Sequence, residues 1–284
     1  MSIDLHLHTT ASDGRLSPAE MVDLAAERGL SVMAITDHDT IEGIAGALDR
    51  AKKYPGLTVI PGIELSTHAP GNELHLLGYF IDHQSRELLS VCRNMRADRT
   101  ERACAMVEKL NALGIPVKWE RVCQIAGEAN IGRPHIARAL LEGDYINSFE
   151  EAFELYLAQG KPAYVERFKI TPSEAVQLVI RCGGLPVMAH PLTVNNYEAV
   201  IGELAAVGLE GIEVYYKDFS REQRNNLLAI AMKLNLIATG GSDYHGIDNS
   251  AEVPPGGAGV PWKVVEALYE RARQKGLQVP GNEG

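Results

Sequence analysis

Side chains that ligate divalent cations recur at the ends of apolar stretches in this chain. "IDLHLHTTASDG", from Ile3 to Gly14, carries His6 and His8 one residue apart, with Asp13 five residues after the second. Successive side chains of an extended chain point to opposite faces, so Ile3, Leu5 and Leu7 share one face and Asp4, His6 and His8 the other. Two imidazoles projecting the same way are half of a metal site, although an HxH pair alone is a weak signal. "AITDHDT" adds Asp37, His38 and Asp39, and "IPGIELS" adds Glu64, a carboxylate that is costly in an apolar setting unless it has a partner. "ELHLLGYF" adds His75, "VMAHPL" adds His190, and "TGGSDYHG" adds Asp243 and His245.

Each residue has a plainer reading. A lone histidine on an apolar strand is commonly hydrogen-bonded structure, Asp39 before "TIEG" is as well placed to cap a helix as to ligate, and His68 and His83 sit in turn-like sequence and read as solvated surface. Six of the nine histidines nevertheless fall on or beside strand-like segments, together with Asp13, Glu64 and Asp243. Zinc takes about four ligands and manganese about six with water, so nine candidates fit two or three adjacent ions, with Glu64 bridging two. Imidazole and carboxylate without thiolate favours Mn²⁺, with Zn²⁺ or Fe²⁺ as alternatives, over copper or a sulfur cluster. Clustered cations acidify water and neutralise a phosphoryl group, which points to phosphoester hydrolysis.

The elements that must position these groups are legible in outline. Apolar runs predict strands over Ile3–Leu7, Val32–Thr36, Thr58–Glu64, Leu74–Tyr79, Pro186–Ala189, Gly211–Val214 and Leu236–Thr239. Helical patterns start at "SPAEMVDLAAERG", "TPSEAVQLVIRCGG" and "SREQRNNLLAIAMKLN", the first two opening on a capping box with proline in the first turn. Strand–helix alternation implies a largely parallel α/β sheet whose C-terminal strand ends form the active face. About seven such units suggest a closed barrel, with an open doubly wound sheet as the alternative.

Between about Asp82 and Ile170 the rhythm breaks. "SRELLSVCRNMRADRTERACAMVEKLNALG" places Leu89, Cys92, Met95, Ala103, Met106, Leu110 and Leu113 at helical spacing, and further helical pieces follow near Val122–Gly127, Pro134–Glu142 and Phe149–Ala158. This predicts a helical subdomain, residues 83–170, inserted into a barrel of residues 1–82 and 171–284 and covering its mouth. "IGRPHIARAL" sets Arg133 and His135 at a helix start, where free backbone N–H groups favour anions, and "QGKPAYVE" adds Lys161. Arg99 falls on the apolar stripe of the long helix and is expected to point inward; Arg93, Arg96 and Arg102 read as a solvated face.

Composition narrows the classes. With 284 residues, 45% hydrophobic and 23% charged, the chain is ordinary for a globular fold. A formal charge of −10 argues against broad duplex nucleic-acid binding, while leaving room for a small phosphorylated ligand or a single-strand end. The four cysteines form no CxxC pair, no basic-then-apolar leader opens the sequence, and no apolar run approaches the roughly 20 residues that span a bilayer. A cytoplasmic setting, with no membrane association and no obligate protein partner, is the expectation.

HxH with a following Asp, "TDHDT", "PGIELS", "HLLGYF", "AHP" and "GSDYH" resemble the ordered motifs of the PHP (polymerase and histidinol phosphatase) family. The resemblance implies a distorted (β/α)7 barrel with a trinuclear centre. It assigns His6, His8, Glu64 and Asp243 to one metal, Glu64, His75 and His190 to a second, and Asp13, His38 and His245 to a third. A hydroxide bridging the first two metals would attack phosphorus in line, with no side-chain nucleophile. Asp13 stands where relatives carry histidine, which bears on metal preference. "GRPHIARAL" and "GKPAYV" are similar to the branch containing 3′,5′-nucleotide bisphosphate phosphatases and 5′-to-3′ exonucleases of short oligonucleotides. In that branch Arg133, His135 and Lys161 would hold phosphate, and adenosine 3′,5′-bisphosphate would yield AMP and phosphate. Ser12 would add a hydrogen bond to substrate or hold a turn, and Tyr164 and Tyr244 are weak stacking candidates. Histidinol phosphate phosphatase is a further alternative. A structural, polymerase-associated module is disfavoured by the complete ligand set and by the absence of a polymerase segment within these residues.

Overall fold

A computed structural model describes residues 2–69, 72–127, 131–165, 170–247 and 252–280. Seven strands form one sheet whose spatial order follows the chain: β1 (Ser2–Asp4), β2 (Leu30–Ile35), β3 (Thr58–Ala69), β4 (Asn72–Tyr79), β5 (Leu185–Met188), β6 (Gly211–Tyr216) and β7 (Ile237–Gly241). The first and last strands meet again past β1. Leu5 N–H donates to Gly240 O, Asp243 N–H to His6 O and His8 N–H to Tyr244 O, so the sheet curls into a nearly closed barrel. Helices α1 (Pro18–Glu27), α2 (Glu42–Ala51), α7 (Pro172–Arg181), α8 (Tyr197–Ala206), α9 (Arg221–Lys233) and α10 (Trp262–Gln274) alternate with the strands. The distorted α/β barrel read from the sequence is the fold observed.

One strand corrects the largely parallel expectation. Pairs β1–β2, β2–β3, β5–β6 and β6–β7 are parallel, but β4 runs antiparallel to both β3 and β5. The cause is chain length. β3 continues to Ala69 and β4 starts at Asn72, and a parallel neighbour needs a crossover of a dozen or more residues. The reversal matters for the site, because it brings the beginning of β4, rather than its end, to the face where the other strands finish.

Local sequence explains the helix starts. Ser17 Oγ accepts the Glu20 N–H while Glu20 returns a bond to the Ser17 N–H, and Thr171 with Glu174 repeats the arrangement. Ser220 and Gln223 do the same at α9. The core is lined by fully buried Ile3, Leu5, Leu7, Met33, Ile35, Ile60, Ile63, Leu65 and Leu76, with the Tyr79 hydroxyl donating to Leu5 O.

Packing divides the chain into two units: Met1–Ser90 with Lys169–Gly284, and Val91–Phe168. The second unit contains most of α3 (Arg86–Ala112), then α4 (Trp119–Ala126), α5 (Arg133–Glu142), α6 (Phe149–Ala152) and a π-helical turn, Phe153–Leu157. It has a core of its own around Met106, Val107, Leu110, Val122, Ile136 and Leu140. Leu113, expected on the apolar stripe of α3, is 49% exposed at its end. Among the described residues, no helix is long and apolar enough to cross a membrane.

Candidate metal centre

Regular pairing of β1 stops at Asp4, and the next four residues continue as an extended segment stitched to the chain after β7. Leu5 and Leu7 stay in the core, so His6 and His8 both face the site and both are fully buried. Asp4, on the same face by alternation, does something different. Its carboxylate accepts backbone N–H bonds from His6 at 3.2 Å, Ser242 at 2.9 Å and Gly256 at 2.8 Å. It ties the ends of β1 and β7 to the loop before α10 and has no capacity left for a ligand.

The loop after β2 brings His38 beside β3, where Asp39 N–H donates to Glu64 O and Asp39 Oδ1 accepts the Ser66 N–H at 2.8 Å. Asp39 is therefore a loop clamp; the cap reading fails because α2 begins at Glu42 behind Ile41, which makes no side-chain cap. Asp37 is a second clamp, accepting Thr9 N–H at 2.7 Å, Thr9 Oγ1 at 2.8 Å and Ser12 Oγ at 2.6 Å. Ser12 is fully buried with its proton committed to Asp37, which is the turn role among the two its sequence allowed. His68 is corrected as well: it lies within β3, half-buried, with its N–H on Ile170 O.

Glu64 is the hub. Its Oε2 lies 3.3 Å from His6 Nε2, 3.2 Å from His8 Nε2 and 3.0 Å from His38 Nδ1, and its Oε1 lies 2.9 Å from His75 Nδ1 and 3.2 Å from His190 Nε2. Asp243 Oδ1 sits 3.1 Å from His8 Nε2 and 3.4 Å from His6 Nε2. Asp13 faces His245 Nε2 at 3.4 Å, His8 Nδ1 at 3.7 Å and His38 Nε2 at 3.8 Å. Potential ligand atoms gather into three overlapping groups: His6, His8 and Glu64; His38, Glu64 and His75; and His8, Asp13, His38 and His245, the atoms of each lying within 4.8 Å of one another. Seven of the nine sequence candidates fall in these groups, and Asp243 and His190 adjoin them. The grouping differs from the implied sets in one respect: His75 gathers with Glu64 and His38, while His190 hydrogen-bonds Glu64 from the side.

The donor set fits divalent cations. Buried and without a directed hydrogen bond are His6 Nε2, both nitrogens of His8, Asp13 Oδ1, Glu64 Oε2 and His75 Nδ1. Leaving such atoms bare is expensive, and a cation between them removes the cost. Electrostatics say the same. Burial alone would raise the carboxyls of Glu64, Asp243 and Asp13, but the imidazoles around them outweigh it and hold all three well below the usual range. Burial likewise opposes charge on His8, yet Asp243 and Glu64 push its pKa up to about 10, and Glu213, Glu64 and Asp243 lift His6 well above its ordinary value. Without cations, the carboxylates take up protons on the imidazoles instead. His38 is the exception: burial drives it down to about 3, so it is neutral at pH 7.

Backbone strain concentrates here. Asp39 (φ 52°), His190 (φ 26°) and Asp243 (φ 52°) are non-glycine residues with positive φ in the segments following β2, β5 and β7. Sequence reasoning missed the groups that hold them. Glu213, fully buried in β6, receives His6 Nδ1 at 3.1 Å and the His190 N–H at 2.8 Å. The Tyr216 hydroxyl donates to Asp243 Oδ2 at 2.7 Å, and Lys217 Nζ donates to Asp243 O at 3.2 Å. The signal was present for Glu213: a lone carboxylate in the apolar strand "GIEVYY" is the clue that singled out Glu64.

The second unit assembles the other candidates around the start of α5. Arg99 reaches Gly132, where a β-carbon would stand 3.4 Å from its Nη1, and Arg133 lies 5.9 Å from the Phe153 ring centre. The Gly132 N–H donates to His135 Nδ1 at 3.0 Å, so in the neutral ring Nε2 carries the proton. Lys161 is exposed in the turn after Ala158. Arg102 departs from the solvated-face expectation: half-buried, it donates to Val165 O at 2.7 Å and stacks on Tyr164.

The PHP domain family matches residues 4–167 of this chain. The chain belongs to that family. A 5′-3′ exoribonuclease of Haemophilus influenzae is 34% identical over 246 residues, covering 85% of this chain and 89% of its own length. A 3′,5′-nucleoside bisphosphate phosphatase of Chromobacterium violaceum is 31% identical over 266 residues, covering 89% and 93%. Among solved structures, a candidate metal-dependent phosphoesterase of Bifidobacterium adolescentis superposes with a TM-score of 0.84 at 30% identity, covering 95% of this chain and 96% of that one. The PHP chain described here is accordingly a metal-dependent phosphoesterase by class, a hydrolase of the phosphoester bond.

Proposed function

We propose that the protein removes the 3′-phosphate of nucleoside 3′,5′-bisphosphates, adenosine 3′,5′-bisphosphate giving AMP and phosphate. The observation that supports the hydrolytic centre is the set of buried, unbonded nitrogens and oxygens shared by three overlapping ligand groups. In this reading His6, His8, Glu64 and Asp243 hold one divalent cation, Glu64, His75 and His190 a second, and Asp13, His38 and His245 a third, with Mn²⁺ preferred and Zn²⁺ or Fe²⁺ able to substitute. Bound cations would supply Lewis acidity to a phosphoryl oxygen and lower the pKa of solvent oxygen.

The chain's own residues orient the groups. Asp4, Asp39 and Glu213 fix the strand ends that carry the ligands. Arg99, Arg133 and His135 gather at the N-terminus of α5, where unbonded backbone N–H groups favour an anion. In this reading they hold phosphate, with Lys161 adding charge. His135 contributes as a donor, since its Nδ1 already accepts the Gly132 N–H. The inserted unit is then the substrate-binding part and the barrel the hydrolytic part.

A second reading, 5′-to-3′ exonuclease action on short 5′-phosphorylated oligonucleotides, is favoured by the exoribonuclease relative, whose identity exceeds that of the phosphatase relative. Steady-state assays in parallel separate the two. We expect kcat/KM for adenosine 3′,5′-bisphosphate to exceed that for a 5′-phosphorylated oligonucleotide and for histidinol phosphate. Preference for the oligonucleotide would install the second reading, and preference for histidinol phosphate would overturn both.

A further inference from the structure

Glu213 is a charged side chain at the middle of β6, fully buried, and both of its oxygens are committed to residues from other elements. Oε1 lies 3.1 Å from His6 Nδ1, in the extension of β1, and Oε2 accepts the His190 N–H at 2.8 Å, just past β5. His6 presents its other nitrogen, Nε2, to Glu64 and Asp243 at 3.3 and 3.4 Å. His190 adopts φ 26°, a conformation unfavourable for a side-chain-bearing residue and one that needs an external tether.

We infer that Glu213 is a positioning residue for the metal centre: it fixes the His6 tautomer with hydrogen on Nδ1 and holds the His190 backbone in its strained geometry. A carboxylate is acceptor-only, so it demands a donor at each oxygen. One donor is the Nδ1–H of His6, which leaves the Nε2 lone pair facing the ligand cluster. The other is a main-chain N–H that no side-chain tautomer can alter. A single group thereby sets two ligands that approach the cluster from opposite sides of β6. Glu213 is excluded as a ligand itself, because neither oxygen turns toward the cluster.

Glu213→Gln tests the logic without changing shape. If the amide oxygen keeps the His190 N–H, the amide NH₂ faces His6 Nδ1. That nitrogen must then become an acceptor, moving hydrogen to Nε2 and removing its lone pair from the ligand set. If the amide turns over, NH₂ opposes the His190 N–H. Either way one ligand is lost.

The inference rests on the metal reading above, so the assay measures metal directly, with Zn²⁺ as the diamagnetic probe. Calorimetric titration of Glu213→Gln should show Zn²⁺ affinity at one site reduced roughly 10- to 100-fold against wild type, the range for loss of a partner behind a ligand. A melting curve on the same sample separates this from unfolding. Long-range ¹⁵N correlation spectra of Zn²⁺-loaded wild type should show His6 protonated at Nδ1, a readout that does not depend on the variant folding. Unchanged Zn²⁺ affinity in a folded Glu213→Gln protein, or a His6 ring bare at Nδ1 in wild type, would overturn the inference. Wild type that binds no Zn²⁺ would instead overturn the metal reading, and this inference with it.

Discussion

Gly241 closes the barrel seam, and adding one methyl there should damage the site more than the fold. A β-carbon at this position would stand 2.4 Å from His6 Cβ, 2.5 Å from His6 N and 2.9 Å from Asp4 Oδ1. Ordinary contact between carbon atoms begins near 3.5 Å, so β1 and β7 must part by about 1 Å. All three atoms belong to the segment that carries His6 or to the clamp that holds it, and none is the free end of a flexible side chain. Overpacking of this kind costs about 1–3 kcal/mol, a fall in Tm of a few °C for a chain of this size. The functional cost is larger, because misplacing a reacting group by ~1 Å lowers rate on the order of 100-fold. Gly241→Ala should therefore melt slightly below wild type, bind divalent metal more weakly and release phosphate about 100-fold more slowly. Gly202→Ala in α8, where a β-carbon meets nothing within 4 Å, is the control and should be neutral or slightly stabilising. Gly241→Ala turning over within twofold of wild type would refute the claim that seam closure positions His6.

Other expectations follow from the same geometry. Glu64→Gln should weaken metal binding and lower kcat by more than the roughly 10- to 100-fold typical of a partner behind a ligand, since Glu64 meets five imidazoles; calorimetry with steady-state kinetics checks this. Metal loading should release protons, because His8 titrates near 10 in the metal-free protein and must lose its proton to ligate. Calorimetry in buffers of different ionisation enthalpy reads that release, and affinity that stays flat from pH 6 to 9 would contradict it. The sign for metal-free stability is opposite. A pKa raised above the unfolded value stabilises fully below about 6.5 and is lost as pH rises toward 10, so the metal-free Tm should fall across that interval. Arg133→Ala or Lys161→Ala should raise KM with kcat little changed; equal losses in kcat and kcat/KM would mean these cations act on the transition state.

The candidate ligands were legible because each is a polar residue stranded at the end of an apolar run, and burial of such groups demands compensation. The capping boxes at Ser17 and Thr171 were legible because they are local. The reversal of β4 was not, since it depends on β3 running to Ala69, five residues past the apolar stretch that announced it. Asp4 looked like a ligand by alternation, but regular pairing ends at that residue, and its carboxylate turned to three backbone donors that no sequence pattern announces. Arg102 read as a surface charge because periodicity gives the face of a helix and not the loop that folds over it; Val165 O and the Tyr164 ring supply the missing partners.

The central claim is that imidazoles and carboxylates from position 6 to position 245 surround adjacent divalent cations. Anomalous diffraction from crystals grown with Mn²⁺ tests it most directly. The account predicts at least two peaks, one bounded by His6, His8, Glu64 and Asp243 and another by Asp13, His38 and His245. Crystals saturated with Mn²⁺ that show no peak among these residues, their side chains hydrogen-bonded to one another instead, would contradict it.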